Sequence, residues 1–259
     1  MLCYRQPVQK VQPLMPKAVP ALSPALSPSL DPALAPASAP VSVPALVPAI
    51  SIADVRAARL EAAPLLLSGA QILHHVYNSS FPADSFNPGF GSGRFHPFKD
   101  ANGALVPIYY AASSEEGSYC ETLFRAVGDG RMACRQVAGK LLANNSYARV
   151  RLQRSLALAH LSGNQLLRLG VTRAALLEPG PLHYADTAAW AAAIHTACPD
   201  LHGLAWTSRQ HDASTCLMFF GDRVHSDDLE VLSTLDLATL AGRAQAELIA
   251  YGMGIVVTR

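Results

Sequence analysis

The sequence contains few charged residues. Only 15% of its 259 residues are Asp, Glu, Lys or Arg, and the formal net charge is +1. A protein that binds nucleic acid through phosphates needs a strongly basic surface, which this balance does not supply. A highly charged disordered chain is also excluded, because 50% of the residues are hydrophobic. The composition therefore indicates a globular protein without a nucleic-acid partner.

Cysteine pairs and long apolar runs are also missing. None of the five cysteines forms a Cys-x-x-Cys pair, so neither a disulfide framework nor a thiolate zinc site is indicated. The nine histidines lack metal-ligand spacing, and no metal or bound cofactor is expected. No stretch approaches the roughly twenty apolar residues of a membrane helix, and the N-terminus lacks the apolar core of a signal peptide. We expect a soluble protein that acts in the cytoplasm of its producer, or in that of a target cell reached without a cleaved signal.

Proline is concentrated near the N-terminus. From Pro16 to Pro48 it occupies every fourth position of an approximate Ala-Leu-x-Pro repeat. Such spacing excludes a helix and a central strand, so residues 1–50 are predicted to form an extended or disordered leader, partly in the polyproline II conformation. A semi-rigid tether is the simpler interpretation. The alternative is a docking segment that a partner recognises, such as an adaptor of a secretion apparatus.

A single folded domain is predicted over residues 51–259. Ser51 and Asp54 have capping-box spacing, which predicts a helix to about Ala63. Strands are predicted at 72–77, 106–112, 147–152, 156–161, 203–207, 215–220 and 255–258. Further helices are predicted from a Ser113/Glu116 capping box to about Val127, from an Asp186 cap over 187–197, and around 241–250. Strands outnumber helices and lie mostly in adjacent pairs, which indicates an α+β domain rather than a doubly wound parallel sheet.

Three segments carry unusual numbers of polar residues within apolar elements. They are LHHVYNSSF leading to FGSGRFHPF, then PIYYAASSEEGSYCETLFR, then HGLAWTSRQHDASTCLMFF. In this order they resemble the RES-domain family, NAD-consuming toxins of a bacterial toxin–antitoxin class, over about residues 72–224. The resemblance implies an ADP-ribosyltransferase-like fold of mixed sheets with flanking helices. It also implies that NAD is bound as a substrate in a cleft between sheets.

The resemblance assigns roles to individual residues. The residues implied in catalysis are Tyr110, Glu121 and Ser208. The residues implied in binding NAD are His75, Arg94, Tyr109 and Trp206. Because successive side chains of a strand point to opposite faces, we expect at most one of Tyr109 and Tyr110 in the cleft. Each residue also has a structural alternative: Glu121, for example, would pair with Arg125 one turn later on a solvated helix edge.

The sequence departs from the family at its first strand. The family usually has arginine where this chain has His75, with His74 as the out-of-register alternative. Arginine offers a charged two-pronged donor, whereas a neutral histidine offers one donor and one acceptor. Diphtheria-toxin-like ADP-ribosyltransferases use a histidine at the corresponding place to hold a ribose hydroxyl. The change is therefore compatible with NAD binding.

The chemistry of NAD cleavage suits a single carboxylate. The nicotinamide leaves as a neutral molecule, so Glu121 is predicted to stabilise the cationic ribose and to position a water molecule. The leading hypothesis is a toxin or secreted effector that hydrolyses NAD and is neutralised by an antitoxin or immunity protein. One alternative is an ADP-ribosyltransferase that modifies a protein or small molecule. A second is a catalytically degenerate interaction module.

Overall fold

The computed structural model describes residues 47–125, 127 and 135–258. The helices are α1 Ile52–Ala58, α2 Glu115–Thr122, α3 Gly163–Arg168, α4 Arg173–Leu177, α5 Tyr184–Ala197 and α6 Leu240–Gly252. The strands are β1 Leu65–Leu67, β2 Ile72–Asn78, β3 Ile108–Ala112, β4 Arg135–Ala138, β5 Asn145–Leu152, β6 Leu156–His160, β7 Gly203–Thr207, β8 Thr215–Phe220, β9 Leu229–Asp236 and β10 Ile255–Thr258. Most of the predicted proline-rich leader lies outside the described residues.

Eight of these strands form one sheet in the order β1-β6-β7-β8-β3-β2-β5-β9. Neighbouring strands are antiparallel except for β6 and β7, which run parallel. Strands β4 and β10 form a separate parallel pair. A mostly antiparallel sheet with flanking helices confirms the predicted α+β class.

The large sheet is strongly curled. Leu67 of β1 and Leu229 of β9 lie at opposite ends of the strand order, yet they belong to the same buried cluster. The other face of the sheet is covered by α1 and α5, with Trp190 and Ile194 of α5 nearly inaccessible. A third cluster packs α2 and α6 against β2 and β5. The curled sheet therefore has an apolar core on each face. The side chains of its central strands β3, β7 and β8 are almost all buried.

The sheet opens between β2 and β3. Strand β2 pairs with β5 along its whole length but with β3 only at His74 and Ala112. Beyond that point the edge of β3 is paired instead by Asn87, whose backbone N–H and C=O both bond Ile108, at 2.8 and 2.9 Å. The loop that follows β2 thus takes over the free edge of β3. A gap remains between the two diverging strands.

Most predicted elements lie within a few residues of their predicted positions. The Ser51/Asp54 capping box is present, and α1 ends at Arg59 in the left-handed conformation before a short 3₁₀ helix. The start of α2 differs from the prediction, because its cap is Ser114 while Ser113 Oγ accepts the N–H of Thr215 at 2.9 Å. Helix α5 begins three residues earlier than predicted, so Asp186 lies within its first turn.

Other elements were not predicted, namely β1, β4, β9, α3 and α4. Strand β9 is an edge strand in which only Leu229 is buried, so its sequence LEVLSTLD lacks the apolar signal of the central strands. Residues 47–50, assigned to the leader from the sequence, pack on the domain: Val47 is buried and the Pro48 carbonyl accepts the Trp190 Nε1–H at 2.8 Å. In the described part of the chain, no helix has the length and apolarity needed to cross a membrane.

Gly203 provides a test of how closely the central strands pack. A Cβ at this position would collide with the backbone carbonyl of Met218 on β8. Because backbone atoms cannot move aside as a flexible side chain can, we expect Gly203→Ala to lower the free energy of unfolding by about 3 kcal/mol or more. Gly163→Ala is the matched control, since an added Cβ there meets nothing within 4 Å. Urea denaturation measures both; equal stability of the two variants would contradict the observed packing.

Candidate active site

The Glu121 carboxylate, in the last turn of α2, is held by donors from two distant segments. Ser208 Oγ donates to Glu121 Oε1 at 2.8 Å, and the Arg209 backbone N–H donates to the same oxygen at 3.3 Å. Arg94 Nη1 lies 3.5 Å from Oε2. The side chains of Arg94 and Glu121 are only 12% and 23% exposed. Their charges are thus largely removed from water and stabilise each other.

Ser208 acts on Glu121 from behind. It lies just after β7 and is fully buried. Its hydroxyl oxygen accepts the backbone N–H groups of Gln210 and His211, at 3.2 and 3.3 Å. These bonds leave the hydroxyl hydrogen to donate to Glu121. Ser208 therefore positions the carboxylate and does not itself line the cleft beside it.

Tyr110 fixes the loop that carries Arg94. Its hydroxyl donates to the backbone carbonyl of Arg94 and lies 3.1 Å from His96 Nδ1. Burial raises the pKa of Tyr110, which keeps the hydroxyl protonated and able to donate. Tyr109 lies on the opposite face of β3, as predicted, with its hydroxyl donating to the Ala83 carbonyl at 2.9 Å.

The turn around Arg94 has a backbone that few sequences allow. Gly93 and His96 exchange two backbone hydrogen bonds, and a Cβ at Gly93 would collide with the His96 ring. Phe95 has a φ of +72°, uncommon for a residue with a side chain, and is fully buried. The N–H of Phe95 donates to Thr187 Oγ1 of α5 at 3.1 Å. Packing and hydrogen bonds thus hold the turn so that Arg94 meets Glu121.

His75 lies on β2 among aromatic rings. It stacks on Tyr77 with the centroids 5.2 Å apart and contacts Tyr109 at 4.4 Å. Burial lowers the pKa of His75 to about 4, and a hydrogen bond to the Tyr110 backbone opposes this effect. The ring is therefore neutral at pH 7. His74 points instead toward Tyr147, whose hydroxyl lies 2.6 Å from its Nδ1.

A cleft of about 870 Å³ lies at the opening between β2 and β3. Its lining includes His75, Arg94, Tyr109, Tyr110 and Glu121. This volume is in the range of small-molecule sites. Glu121 is the one carboxylate among the described lining residues, whereas Arg94, Arg125 and Arg209 all line the cleft. The excess of guanidinium groups favours an anionic ligand, and arginine suits phosphate oxygens in particular.

Two buried donors beside the cleft have no hydrogen-bond partner among the described residues. They are Arg94 Nε and Trp206 Nε1. Leaving a buried donor unpaired costs about 1–3 kcal/mol, so an acceptor from a ligand or from water is expected for both. Trp206 is only 2% exposed and packs edge-on against Tyr110 and Phe95, which makes it part of the cleft floor.

Comparison with known proteins identifies the family and supports the fold. The RES domain family matches residues 70–238. The chain belongs to the RES-domain family. The structure is similar to a chain of the M. tuberculosis MbcT–MbcA toxin–antitoxin complex, with a TM-score of 0.54 and 16% identity, covering 78% of this chain and 100% of that one. At this identity the similarity shows the fold. A search of curated proteins found no match.

The RES domain brings together most of the residues singled out from its sequence. His75, Arg94, Tyr110 and Glu121 line the cleft, and Ser208 supports Glu121 from within the core. Tyr109 and Trp206 also border the cleft but are only 1% and 2% exposed. The prediction that at most one of Tyr109 and Tyr110 lies in the cleft is wrong, because the cleft lies at the open edge of β3, which both side chains reach. Glu121 forms its ion pair with Arg94, and not with Arg125 as the alternative interpretation predicted.

Several residues that line the cleft of this RES domain were not predicted from the sequence. They are Tyr77, Phe86, His96, Arg125 and Arg209. Two of them could have been predicted from their neighbours in the sequence, because His96 lies in the same turn as Arg94 and Arg209 follows Ser208 directly. Cys120, beside Glu121, is buried, and burial raises the pKa of its thiol to about 12, which disfavours the thiolate that a nucleophile needs. The described residues contain no group of three or more metal-ligating side chains.

His75 generates a prediction about pH. The unfolded RES domain takes up a proton on this residue near pH 6.5, whereas the folded protein does so only near pH 4. Stability therefore falls as the pH falls from 6.5 toward 4. We expect the wild type to lose more thermal stability between pH 7 and pH 5 than His75→Gln does. Proton NMR should also show the His75 imidazole neutral at pH 5.5; titration near pH 6.5 would contradict its burial.

Proposed function

We propose that this RES domain is a toxin that hydrolyses NAD at the bond between nicotinamide and ribose. The observation that carries the proposal is the Glu121 carboxylate, held by Arg94, Ser208 and the Arg209 N–H at the wall of a cleft rich in arginine and aromatic rings. NAD combines a diphosphate, two ribose rings and two flat bases. The cleft offers a complementary group for each part.

NAD is proposed to bind through two parts of the cleft, one lined by arginines and one lined by aromatic rings. Arg125 and Arg209 supply charge for the diphosphate, since their guanidinium groups match phosphate oxygens. The nicotinamide ring lies against the aromatic wall of His75 and Tyr77. A neutral His75 suits this position, because a cationic imidazole would repel the positively charged nicotinamide ring. The neighbouring ribose then faces Glu121.

Cleavage proceeds through positive charge on this ribose. The C–N bond breaks with its electron pair leaving on nicotinamide, which becomes neutral and needs no proton. The ribose takes on oxocarbenium character that Glu121 stabilises. A water molecule forms the new C–O bond and loses its proton, so that NAD⁺ and water give nicotinamide, ADP-ribose and H⁺. Ser208 and Arg94 keep Glu121 in place throughout.

The decisive experiment replaces the carboxylate. We expect Glu121→Gln to reduce nicotinamide release by at least about 100-fold, because an amide cannot stabilise the developing charge. The matched control is Glu116→Gln, an exposed carboxylate on the same helix that does not line the cleft. Release of nicotinamide from NAD by the purified proteins is followed by chromatography.

The products distinguish the remaining interpretations. Hydrolysis leaves free ADP-ribose, whereas an ADP-ribosyltransferase leaves label from NAD on a target. An interaction module without catalysis shows neither product and no heat of NAD binding in calorimetry. No release by the wild type, or equal release by Glu121→Gln, would refute the proposed activity.

The proposal includes a cognate antitoxin that covers the cleft. An enzyme that consumes NAD harms the cell that makes it, and the similar fold was solved in a toxin–antitoxin complex. We expect expression of the wild type to lower cellular NAD and arrest growth, while Glu121→Gln is tolerated. Co-expression of the protein encoded by the neighbouring gene should restore growth. Growth arrest of equal strength by Glu121→Gln would show that toxicity does not depend on the cleft.

A further inference from the structure

Two large aromatic side chains are exposed at the cleft. Phe81 is 50% exposed and Phe90 is 65% exposed, although both line the cleft. Their ring centroids are 6.5 Å apart and their planes are tilted by 33°. This separation is near the upper limit for an aromatic pair, so a large part of each ring face remains open. Exposed aromatic pairs at a cleft commonly mark a binding surface.

Hydrogen bonds hold the backbone of the loop at both phenylalanines. The Asn87 side chain accepts the Phe90 N–H at 2.7 Å and donates to the Phe90 carbonyl at 3.0 Å. Asn87 is itself bonded to Ile108 of β3. On the other side, the Phe81 N–H donates to the Asn78 carbonyl at 3.1 Å, directly after β2. The backbone at both phenylalanines is therefore held next to the sheet, and both rings are exposed beside the cleft.

The pair is also connected to the site of cleavage. Phe90 precedes Arg94 by four residues, which span at most about 14 Å. His96 follows Arg94 by two residues, and its Nδ1 lies 3.1 Å from the Tyr110 hydroxyl. The cleft wall around the two phenylalanines is apolar, with Pro82, Phe86 and Pro88. One part of the cleft thus carries the charged side chains, and another is mainly aromatic.

We propose that Phe81 and Phe90 form the subsite for the adenine base of the dinucleotide. The proposal rests on the proposed function, because it places the nicotinamide ribose at Glu121 and the diphosphate at the arginines. The remaining base then reaches the aromatic part of the cleft. Stacking of a base on aromatic rings does not read its hydrogen-bonding edge. The subsite therefore selects dinucleotides over mononucleotides but tolerates other purines, such as hypoxanthine.

The test compares two substrates. We expect Phe90→Ala and Phe81→Ala to raise the KM for NAD about tenfold, the effect of losing a stacked base, with kcat unchanged. Cleavage of nicotinamide mononucleotide, which has no adenine, should be unchanged. Phe90→Trp should restore the KM for NAD. Tyr251→Ala is the matched control, because this exposed aromatic residue lies on α6 away from the cleft.

A binding measurement separates this proposal from the proposed activity. By calorimetry, the wild type should bind ADP-ribose more tightly than ribose 5-phosphate, and Phe90→Ala should reduce this difference about tenfold. If the wild type releases no nicotinamide, the proposed activity fails, but the calorimetry still tests the subsite. Unchanged NAD KM and unchanged ADP-ribose affinity in both variants would overturn the proposal. The same result with weakened antitoxin binding would assign the two rings to the protein interface.

Discussion

The Glu121 carboxylate, partly withdrawn from water, constrains the site around it. An uncompensated charge in this position is unfavourable, so donors must come from elsewhere in the chain. They arrive from the turn at Arg94 and from Ser208 and Arg209, the latter two more than eighty residues away in sequence. The strand order β7-β8-β3 makes this meeting possible, because α2 follows β3 while Ser208 follows β7, and both strands flank β8. The fold thus serves to bring one acid and its donors together.

A second constraint is the incomplete pairing of β2 with β3. Fully paired strands would leave no room for a ligand, and an unpaired edge would expose backbone groups. Asn87 resolves this conflict by pairing with Ile108 while its side chain holds Phe90. The same residue therefore closes the edge of β3 and shapes the cleft.

The accuracy with which the sequence predicts an element depends on how deeply that element is buried. Strands β7 and β8 are buried and apolar, so their bounds were predicted to the residue, whereas the solvated edge strand β9 was not found. Glu121 was predicted through the resemblance of its segment to the RES-domain family, and the structure places it at the cleft. The role of Ser208 as a support for Glu121, and the arrival of Arg125 at the cleft, depend on contacts between distant segments. Local patterns carry no information about such contacts.

The distribution of charge in the cleft accounts for a histidine at position 75, where the family usually has arginine. An arginine on β2 would add a cation beside the aromatic wall, whereas the neutral His75 stacks on Tyr77. Positive charge is not thereby lost from the cleft, because Arg125 lies one turn after Glu121 and Arg209 follows Ser208. In the proposed function, this separation keeps cations near the diphosphate and away from the nicotinamide, which is itself positively charged before it leaves. If the proposed function holds, a neutral residue on β2 favours binding of the oxidised, cationic ring, and the arginines that would attract the anionic part of NAD lie elsewhere on the cleft wall.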